Sequence, residues 1–488
     1  MIKLHRLVTL PFIGFVLAAQ ICAAAPSGSS FYVSMGGSDF NAGTRAEPFK
    51  TVQHAADVAK PGDIINVRGG TYCQRLAITR SGNAKAGYIT FRSAPGETAI
   101  LDGGCFILQD GTTALISLHN VSYVKVEGLE VRNLKTSNPS SVPFGIRVYG
   151  HGSHIDLVRN NVHNIEQMYQ GRKVVGSGAN GFGIAVYGTD AASPITNLVI
   201  DGNEVHDLQT GSSESLVLNG NVTKFRVSRN EVYENNNIGI DVIGFERTAL
   251  DPNVDRARDG VIEENLVYDI SSRGNPAYGN EASSDGIYVD GGTHVIIQNN
   301  IVHNTDFGIE MASEHSGRDT SYIIARNNLV YYCHTAGISI GGYGPRRGGT
   351  DHVIITNNTL YRNNIWRTGT GEFYMQYHMR DNTFKNNIVY VGGAGRVMMS
   401  RSGRMEPGTP TVEIDHNVYY YAGGPGAAKW SYDGKAYSSF QSYTRAAGCD
   451  RHSLFANPRF VDPEAGKFSL RPGSLAVGYG AKISRSHL

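Results

Sequence analysis

Two short patterns alternate through the middle of this chain, and their repetition restricts its fold more than any other feature. The first has the form V-x-x-N-x-V, as in Leu157-Val-Arg-Asn-Asn-Val-His163, Val295-Ile-Ile-Gln-Asn-Asn-Ile-Val-His303, Ile323-Ile-Ala-Arg-Asn-Asn-Leu-Val-Tyr331 and Val353-Ile-Ile-Thr-Asn-Asn-Thr-Leu-Tyr361. The second opens on Gly-Ile, at Gly145-Ile146, Gly183-Ile184, Gly239-Ile240, Gly286-Ile287, Gly308-Ile309 and Gly337-Ile338. Asn161, Asn203, Asn230, Asn265, Asn300, Asn328, Asn358, Asn387 and Asn417 read as one register, spaced 27 to 42 residues apart. A fixed pattern on a variable period means coils of about 22 residues that carry side loops of different length. The segments between turns are short, alternate apolar with polar residues and favour β-branched side chains, which is strand chemistry. Equivalent strands of successive coils can pair only in parallel, about 4.8 Å apart. The expected fold is therefore all-β: a single-stranded right-handed parallel β-helix, with the repeated Asn as an interior ladder that satisfies turn backbone groups.

Such a solenoid needs capped ends. Pro48 to Lys60 has a helical apolar period, with Thr51 able to begin a short capping helix and Pro61-Gly62 to end it. Beyond about residue 400 the repeat decays, and Tyr419 to Tyr421 with Trp430 suggest a loop-rich C-terminal cap. Residues 26–110 are read as the N-terminal cap and first coils, 111–400 as the core with inserted loops, and 401–488 as the last coils and cap.

Residues 1–25 read as a signal peptide. Lys3 and Arg6 precede an apolar run from Leu7 to Ala19, too short to span a bilayer comfortably, and Ala23-Ala24-Ala25 offers a cleavage site. Cys22 admits a lipoprotein alternative, although Gln20-Ile21 before it suits lipidation poorly. The mature protein is expected to be secreted or periplasmic. Without that peptide 42 basic residues face 43 acidic ones, which gives no electrostatic reason to expect nucleic acid or an anionic membrane as partner. A monomer is expected. Of the remaining cysteines, Cys73 and Cys105 either bridge neighbouring coils or are small buried thiols, as Cys333 and Cys449 can be; the spacing fits no zinc pattern.

The opening Phe31-Tyr-Val-Ser, Gly37-Ser-Asp39, Pro48-Phe-Lys-Thr-Val-Gln-His-Ala55, Pro61-Gly-Asp63 and Gly69-Gly-Thr-Tyr72 resembles that of bacterial right-handed β-helix carbohydrate-active proteins. The close, Phe455-Ala-Asn-Pro-Arg-Phe-Val-Asp-Pro463 and Phe468-Ser-Leu-Arg-Pro-Gly-Ser474, resembles theirs too. The resemblance implies the fold and a polysaccharide or oligosaccharide partner, without naming the sugar.

Side chains alternate along a strand, so the third and fifth residues of each Gly-Ile strand point outward. Reading coil by coil, these are Arg147/Tyr149, Ala185/Tyr187, Val217/Asn219, Asp241/Ile243, Tyr288/Asp290, Glu310/Ala312 and Ser339/Gly341. Asp241, Tyr288 and Glu310 thus form a column with Asp290 beside it. Glycoside hydrolysis needs two carboxyl groups flanking the bond, one to protonate the leaving oxygen and one to attack or to activate water. Asp290 and Glu310 should lie about 8 Å apart at Cα, close enough for their side chains to reach the ~5.5 Å of a retaining enzyme. Asp241 and Glu310, about 9.6 Å apart, suit the wider inverting geometry.

The run Asp285-Gly-Ile-Tyr-Val-Asp290 with Phe307-Gly-Ile-Glu-Met-Ala-Ser-Glu-His315 also resembles the catalytic stretch of β-helix glycosidases such as certain β-xylosidases. That resemblance implies Asp290 as nucleophile and Glu310 as acid/base. Tyr288, Glu314, His315, Tyr187, Arg147 and Tyr343 are candidates for binding substrate, with ordinary surface roles as the alternative for each. Asp285 either joins them or caps a turn. Insertions 167–181, 244–260 and 271–284 are placed to wall a groove.

Two other classes remain open. A polysaccharide lyase or uronan epimerase needs a base and a cation, and Glu310-Met-Ala-Ser-Glu-His resembles the segment bearing the catalytic lysine of chondroitinase B and its alginate-lyase relatives. Here Glu314-His315 replaces that lysine, and Ser339 stands where an arginine is expected. A hydrolase needs no cofactor, whereas Asp241, Asp290 and Glu310 could instead hold Ca²⁺. A non-catalytic carbohydrate-binding or adhesive solenoid is the third class.

Overall fold

The computed structural model describes residues 28–171, 179–393, 397–402 and 412–482. The signal-peptide reading and the centre of insertion 167–181 lie outside them. Among the described residues, three long sheets run the length of the molecule as a right-handed parallel β-helix. One begins at Ser30–Val33, one at Gly70–Tyr72 and one at Leu76–Ile78, and each coil contributes a strand to each in turn. Pairing is parallel until Lys429–Tyr432 meets Lys435–Tyr437 antiparallel at the C-terminal end. The interior is a continuous stack of aliphatic side chains such as Val162, Ile184, Leu216, Ile240, Ile287, Ile309 and Ile338, all fully buried.

In the coils from Arg159 to His416 one corner turns on a residue in the left-handed region, followed at once by an asparagine. Arg229 (φ 52°), Glu264 (φ 57°), Asn299 (φ 58°) and Asn327 (φ 57°) precede Asn230, Asn265, Asn300 and Asn328. That turn leaves backbone groups inside the helix, where an unmet donor or acceptor is costly. The asparagines meet the need. Asn265 Nδ2 donates to Val227 O at 3.0 Å and to Asn300 Oδ1 at 2.9 Å, and its backbone N–H reaches the same Oδ1 at 3.0 Å. Asn203, Asn230, Asn300, Asn328 and Asn358 repeat the arrangement.

The first member is Asn160, not Asn161: Asn160 gives its backbone N–H and its Nδ2 to Asn203 Oδ1 at 2.9 and 3.0 Å. Asn161 instead begins the next strand, opposite Glu130 and Glu204. Each ladder Asn stands two positions before the inward apolar residue that follows, with one residue between them, and in Asn160-Asn161-Val162 only the first Asn satisfies that count.

The N-terminal helix forms as Val52–Val58. Thr51 Oγ1 accepts the His54 N–H at 3.1 Å, and Val52, Ala55 and Ala56 are buried over the first coil. The C-terminal cap holds a helix absent from the sequence reading, Phe440–Ala447, capped by Ser439 and ended by Gly448 at φ 70°. Its Tyr443 stacks on Trp430 at 5.5 Å and donates to Asp450 at 2.9 Å. Asp450 Oδ1 in turn accepts from Asn417 Nδ2 at 3.2 Å, so the asparagine ladder ends on a buried carboxyl. Among the described residues no helix is long and apolar enough to cross a membrane.

The cysteines divide between the two readings. Cys73 and Cys105 form a disulfide that closes a loop of 32 residues beside the N-terminal cap, whereas Cys333 is a fully buried core thiol. Removing the bridge with Cys73→Ser and Cys105→Ser is expected to cost about 2–4 kcal/mol. A lower denaturation midpoint for the double variant than for the oxidised protein would show it, and equal midpoints would refute it.

Candidate active site

The sheet that begins at Leu76–Ile78 keeps its register through every coil that matters for chemistry. Arg147 pairs with Ala185, then in succession come Val217, Asp241, Tyr288, Glu310, Ser339 and Tyr374. Tyr149, Tyr187 and Asn219 form a second column, and Asp290 stands opposite Ala312. Asp241, Asp290 and Glu310 therefore project from one face, on three successive strands.

A third outward column comes from a break in the alternation. At the start of each strand the glycine and the isoleucine after it both face inward. A Cβ on Gly286 would meet Val302 Cγ1 at 2.4 Å, and one on Gly308 would meet Val330 Cγ1 at 2.3 Å. The residue before the glycine is thereby turned outward. That residue is Asp285, so its carboxyl joins the site as a donor to Glu310 instead of capping a turn. In the coil where Ser215 replaces glycine the same position is Glu214, two residues before the Leu216 that pairs with Ile184. Glu214 escaped sequence reading because its coil lacks the Gly-Ile signal. Glu246, from insertion 244–260, also escaped it; it accepts from Asn219 Nδ2 at 2.7 Å.

Glu310 is the best-supported carboxyl. Ser339 Oγ donates to it at 2.9 Å, Gln376 Nε2 donates to it directly, and Gln376 also bridges to Ser339 Oγ at 2.9 Å. Burial pushes its pKa up to about 7, and the hydrogen bonds from Ser339, Asp285 and Gln376 hold it from rising further. Asp290 Oδ1 accepts the Glu314 backbone N–H at 2.8 Å, and its Oδ2 lies 4.0 Å from His315 Nε2. Burial and then Glu314 raise the Asp290 pKa, against that backbone hydrogen bond. Asp241 is raised by burial, then by Glu214 and Asp290; Asp285 by burial, then by Glu310 and Asp241. So many carboxyls in a dry site cannot all ionise together. Asp241 Oδ1, Asp285 Oδ1 and His315 Nε2 are buried without a hydrogen-bond partner. Burial is the chief cause that lowers the His315 pKa.

The other sequence candidates fall in different places. Glu314 and Tyr343 meet at the rim: they share a hydrogen bond, and Arg347 stacks over the Tyr343 ring at 4.4 Å. Tyr288 lies between Asp241 and Glu310 but is only 5% exposed, so it floors the site and offers no open ring face. Tyr187 packs edge-on to Phe144 and Phe182 at 6.4 and 6.0 Å. Arg147 is remote, three strands before Asp241 or about 14 Å along the sheet. It lines a separate cavity of about 630 Å³ with Tyr149 and Phe106. As for Ca²⁺, the groups that bring three ligand atoms together among the described residues are Asp415/His416/His452 and Asp351/His352/Asp381, both largely exposed. Asp241, Asp290 and Glu310 do not form such a group; in Glu310 and Asp290 oxygens already accept hydrogen bonds from the protein.

Fold and acidic face together define a right-handed parallel β-helix protein of the kind shared by glycoside hydrolases and polysaccharide lyases. Residues 31–201 match the family described as Pel9A-like, right handed beta helix region, and residues 226–441 that described as right handed beta helix region. The chain belongs to one family with YwoF of Bacillus subtilis (strain 168), to which it is 38% identical over 475 residues, 97% of this chain and 98% of YwoF. Pectate lyase PEL9 of Emericella nidulans is 44% identical over a short stretch of 77 residues, 15% of this chain and 18% of that lyase. Among solved structures, the GH136 lacto-N-biosidase from Eubacterium ramulus aligns with a TM-score of 0.54 at 15% identity, over 88% of this chain and 67% of that enzyme, a likeness of fold.

Proposed function

We propose that this protein is an exported glycoside hydrolase that cleaves a polysaccharide, with Glu310 as proton donor and Asp290 as the carboxylate opposite it. The observation that carries the reading is the environment of Glu310: a buried carboxyl held at about 7, on the strand next to Asp290. A group tuned near neutrality can give a proton to the leaving oxygen and take one back from water. While Glu310 keeps its proton, Asp290 has one fewer negative neighbour and its Glu314 N–H contact favours the ionised form it needs. Asp285 orients Glu310 and Asp241 adds to the field; Glu314, His315 and Tyr343 stand at the rim where the sugar enters.

This assignment fixes a pH profile. The acid must be protonated, so kcat/KM should fall about tenfold per unit once pH exceeds about 7. The acidic limb, set by ionisation of Asp290, should lie above the ordinary carboxylate range, because Asp290 is raised. Initial rates from pH 4 to 9 give both limbs, and a profile flat from pH 6 to 9 would contradict the role of Glu310.

The short match to a pectate lyase favours a second reading, β-elimination. Against it stand Glu314-His315 and Ser339 at the positions where a lysine base and an arginine are expected. Products that absorb in the ultraviolet as unsaturated uronides would establish elimination; new reducing ends without that absorbance support hydrolysis.

A further inference from the structure

Next to the carboxylates, insertion 244–260 and the turns after Phe307–Ala312 and Ala336–Ile340 enclose a cavity of about 500 Å³. Its lining includes Arg247, Arg318, Arg346 and Arg347, together with the Glu314 and His315 that also border Asp290. We infer that this cavity is the subsite for a sugar unit bearing an oxyanion, a carboxylate or a sulfate ester, next to the bond that is cut. The inference rests on the hydrolase reading only for where that bond lies.

Four arginines around one cavity are not a reflection of overall basicity, since the whole chain carries a formal charge of +1. Among the described residues none of the four closes an ion pair, although Arg347 interacts with Glu314 and its Nη1 donates to the Glu314 carbonyl at 3.2 Å. The carboxylate buried beneath them, Asp255, is already committed: its Oδ2 accepts the Arg247 N–H at 2.6 Å and its Oδ1 the Ala249 N–H at 2.8 Å. Glu314 is the other acidic group of the lining, and it faces Arg347 while sharing a hydrogen bond with Tyr343. Positive charge is thus left over.

Two of the guanidinium groups are also held in place. Arg318 stacks on Phe245 at 5.2 Å and Arg347 on Tyr343 at 4.4 Å. Planar, stacked guanidinium groups lose little entropy on binding and present paired donors that match carboxylate or sulfate oxygens. The acidic floor beside them would repel a polyanion that entered at random. An anionic unit seated on the arginines places the neighbouring linkage over Asp290 and Glu310, so the charge pattern selects a register as well as a ligand.

The test separates binding from cleavage by using the full-length Glu310→Gln protein. It is titrated calorimetrically with tri-galacturonate, with the carboxyl-reduced neutral counterpart, and with a sulfated galactose trisaccharide. An anionic probe is expected to bind at least tenfold more tightly than the neutral one, and the better of the two identifies carboxylate or sulfate as the recognised group. That preference should weaken with added NaCl and disappear when Arg318→Gln and Arg346→Gln are introduced together. Equal affinities for charged and neutral probes, no binding of any probe, or a preference that survives the double substitution would each overturn the subsite. If the preference is found while wild-type protein cuts nothing, the subsite stands and the hydrolase reading falls.

Discussion

Glu310→Gln is expected to lower kcat on a natural glycan by about a thousandfold or more, because proton transfer to the leaving oxygen contributes 10²–10⁴-fold and Gln cannot supply it. The loss should depend on the leaving group. An aryl glycoside whose phenolate leaves without protonation should be cut by Glu310→Gln at a rate within about tenfold of wild type in its first step. Asp290→Asn should be inactive on both substrates, since a carboxylate that attacks or activates water is needed whatever leaves. Parallel rate measurements on the two substrates decide between the roles. If Asp290→Asn retains full activity on either, Asp290 is not the second carboxylate; if Glu310→Gln is equally crippled on both, Glu310 is not the proton donor.

The second large effect concerns stability. Asn300→Leu removes the acceptor for the Asn265 backbone N–H and the donor to Ile262 O, both fully inside the solenoid. Each buried polar group left unmet costs about 1–3 kcal/mol, so a total loss of about 3–5 kcal/mol is expected, a large part of a typical folding stability. Asn161→Ala, one residue outside the ladder, removes only a half-buried contact of Asn161 Oδ1 with His206 Nε2 at 3.0 Å and should cost no more than about 1.5 kcal/mol. Urea denaturation of both variants checks the contrast. Similar midpoints would mean that the ladder is not what holds the coils in register.

The outward columns are legible in the sequence because alternation holds from the third residue of each Gly-Ile strand onward. Arg147, Asp241, Tyr288, Glu310 and Ser339 pair as that rule requires. The coil through Val217 obeys it too, although Ser215 replaces glycine there. Alternation fails one step earlier, where two consecutive residues face inward; this hid Glu214 and left Asp285 open between the site and a turn cap. Period-two reasoning cannot detect such a kink, because the evidence for it is the space around a missing Cβ. The displacement of the ladder to Asn160 has a plainer origin: with two adjacent asparagines, only the count to the following valine chooses between them. The helix Phe440–Ala447 is two turns long, too short for a period to show. The arginine cavity was illegible because the path of insertion 244–260 follows from tertiary contacts and not from local pattern.

Successive ladder asparagines are separated by as few as 27 residues, from Asn203 to Asn230, and as many as 43, from Asn160 to Asn203, yet strand pairing resumes in the same alignment after every excursion. Lengthening or exchanging an excursion therefore leaves the spacing of Asp290 and Glu310 untouched. Relatives with this architecture can diverge in the loops that wall the acidic face without disturbing these two carboxyls, and under the proposed function transplanting residues 244–260 between them should carry preference for a sugar along with the segment.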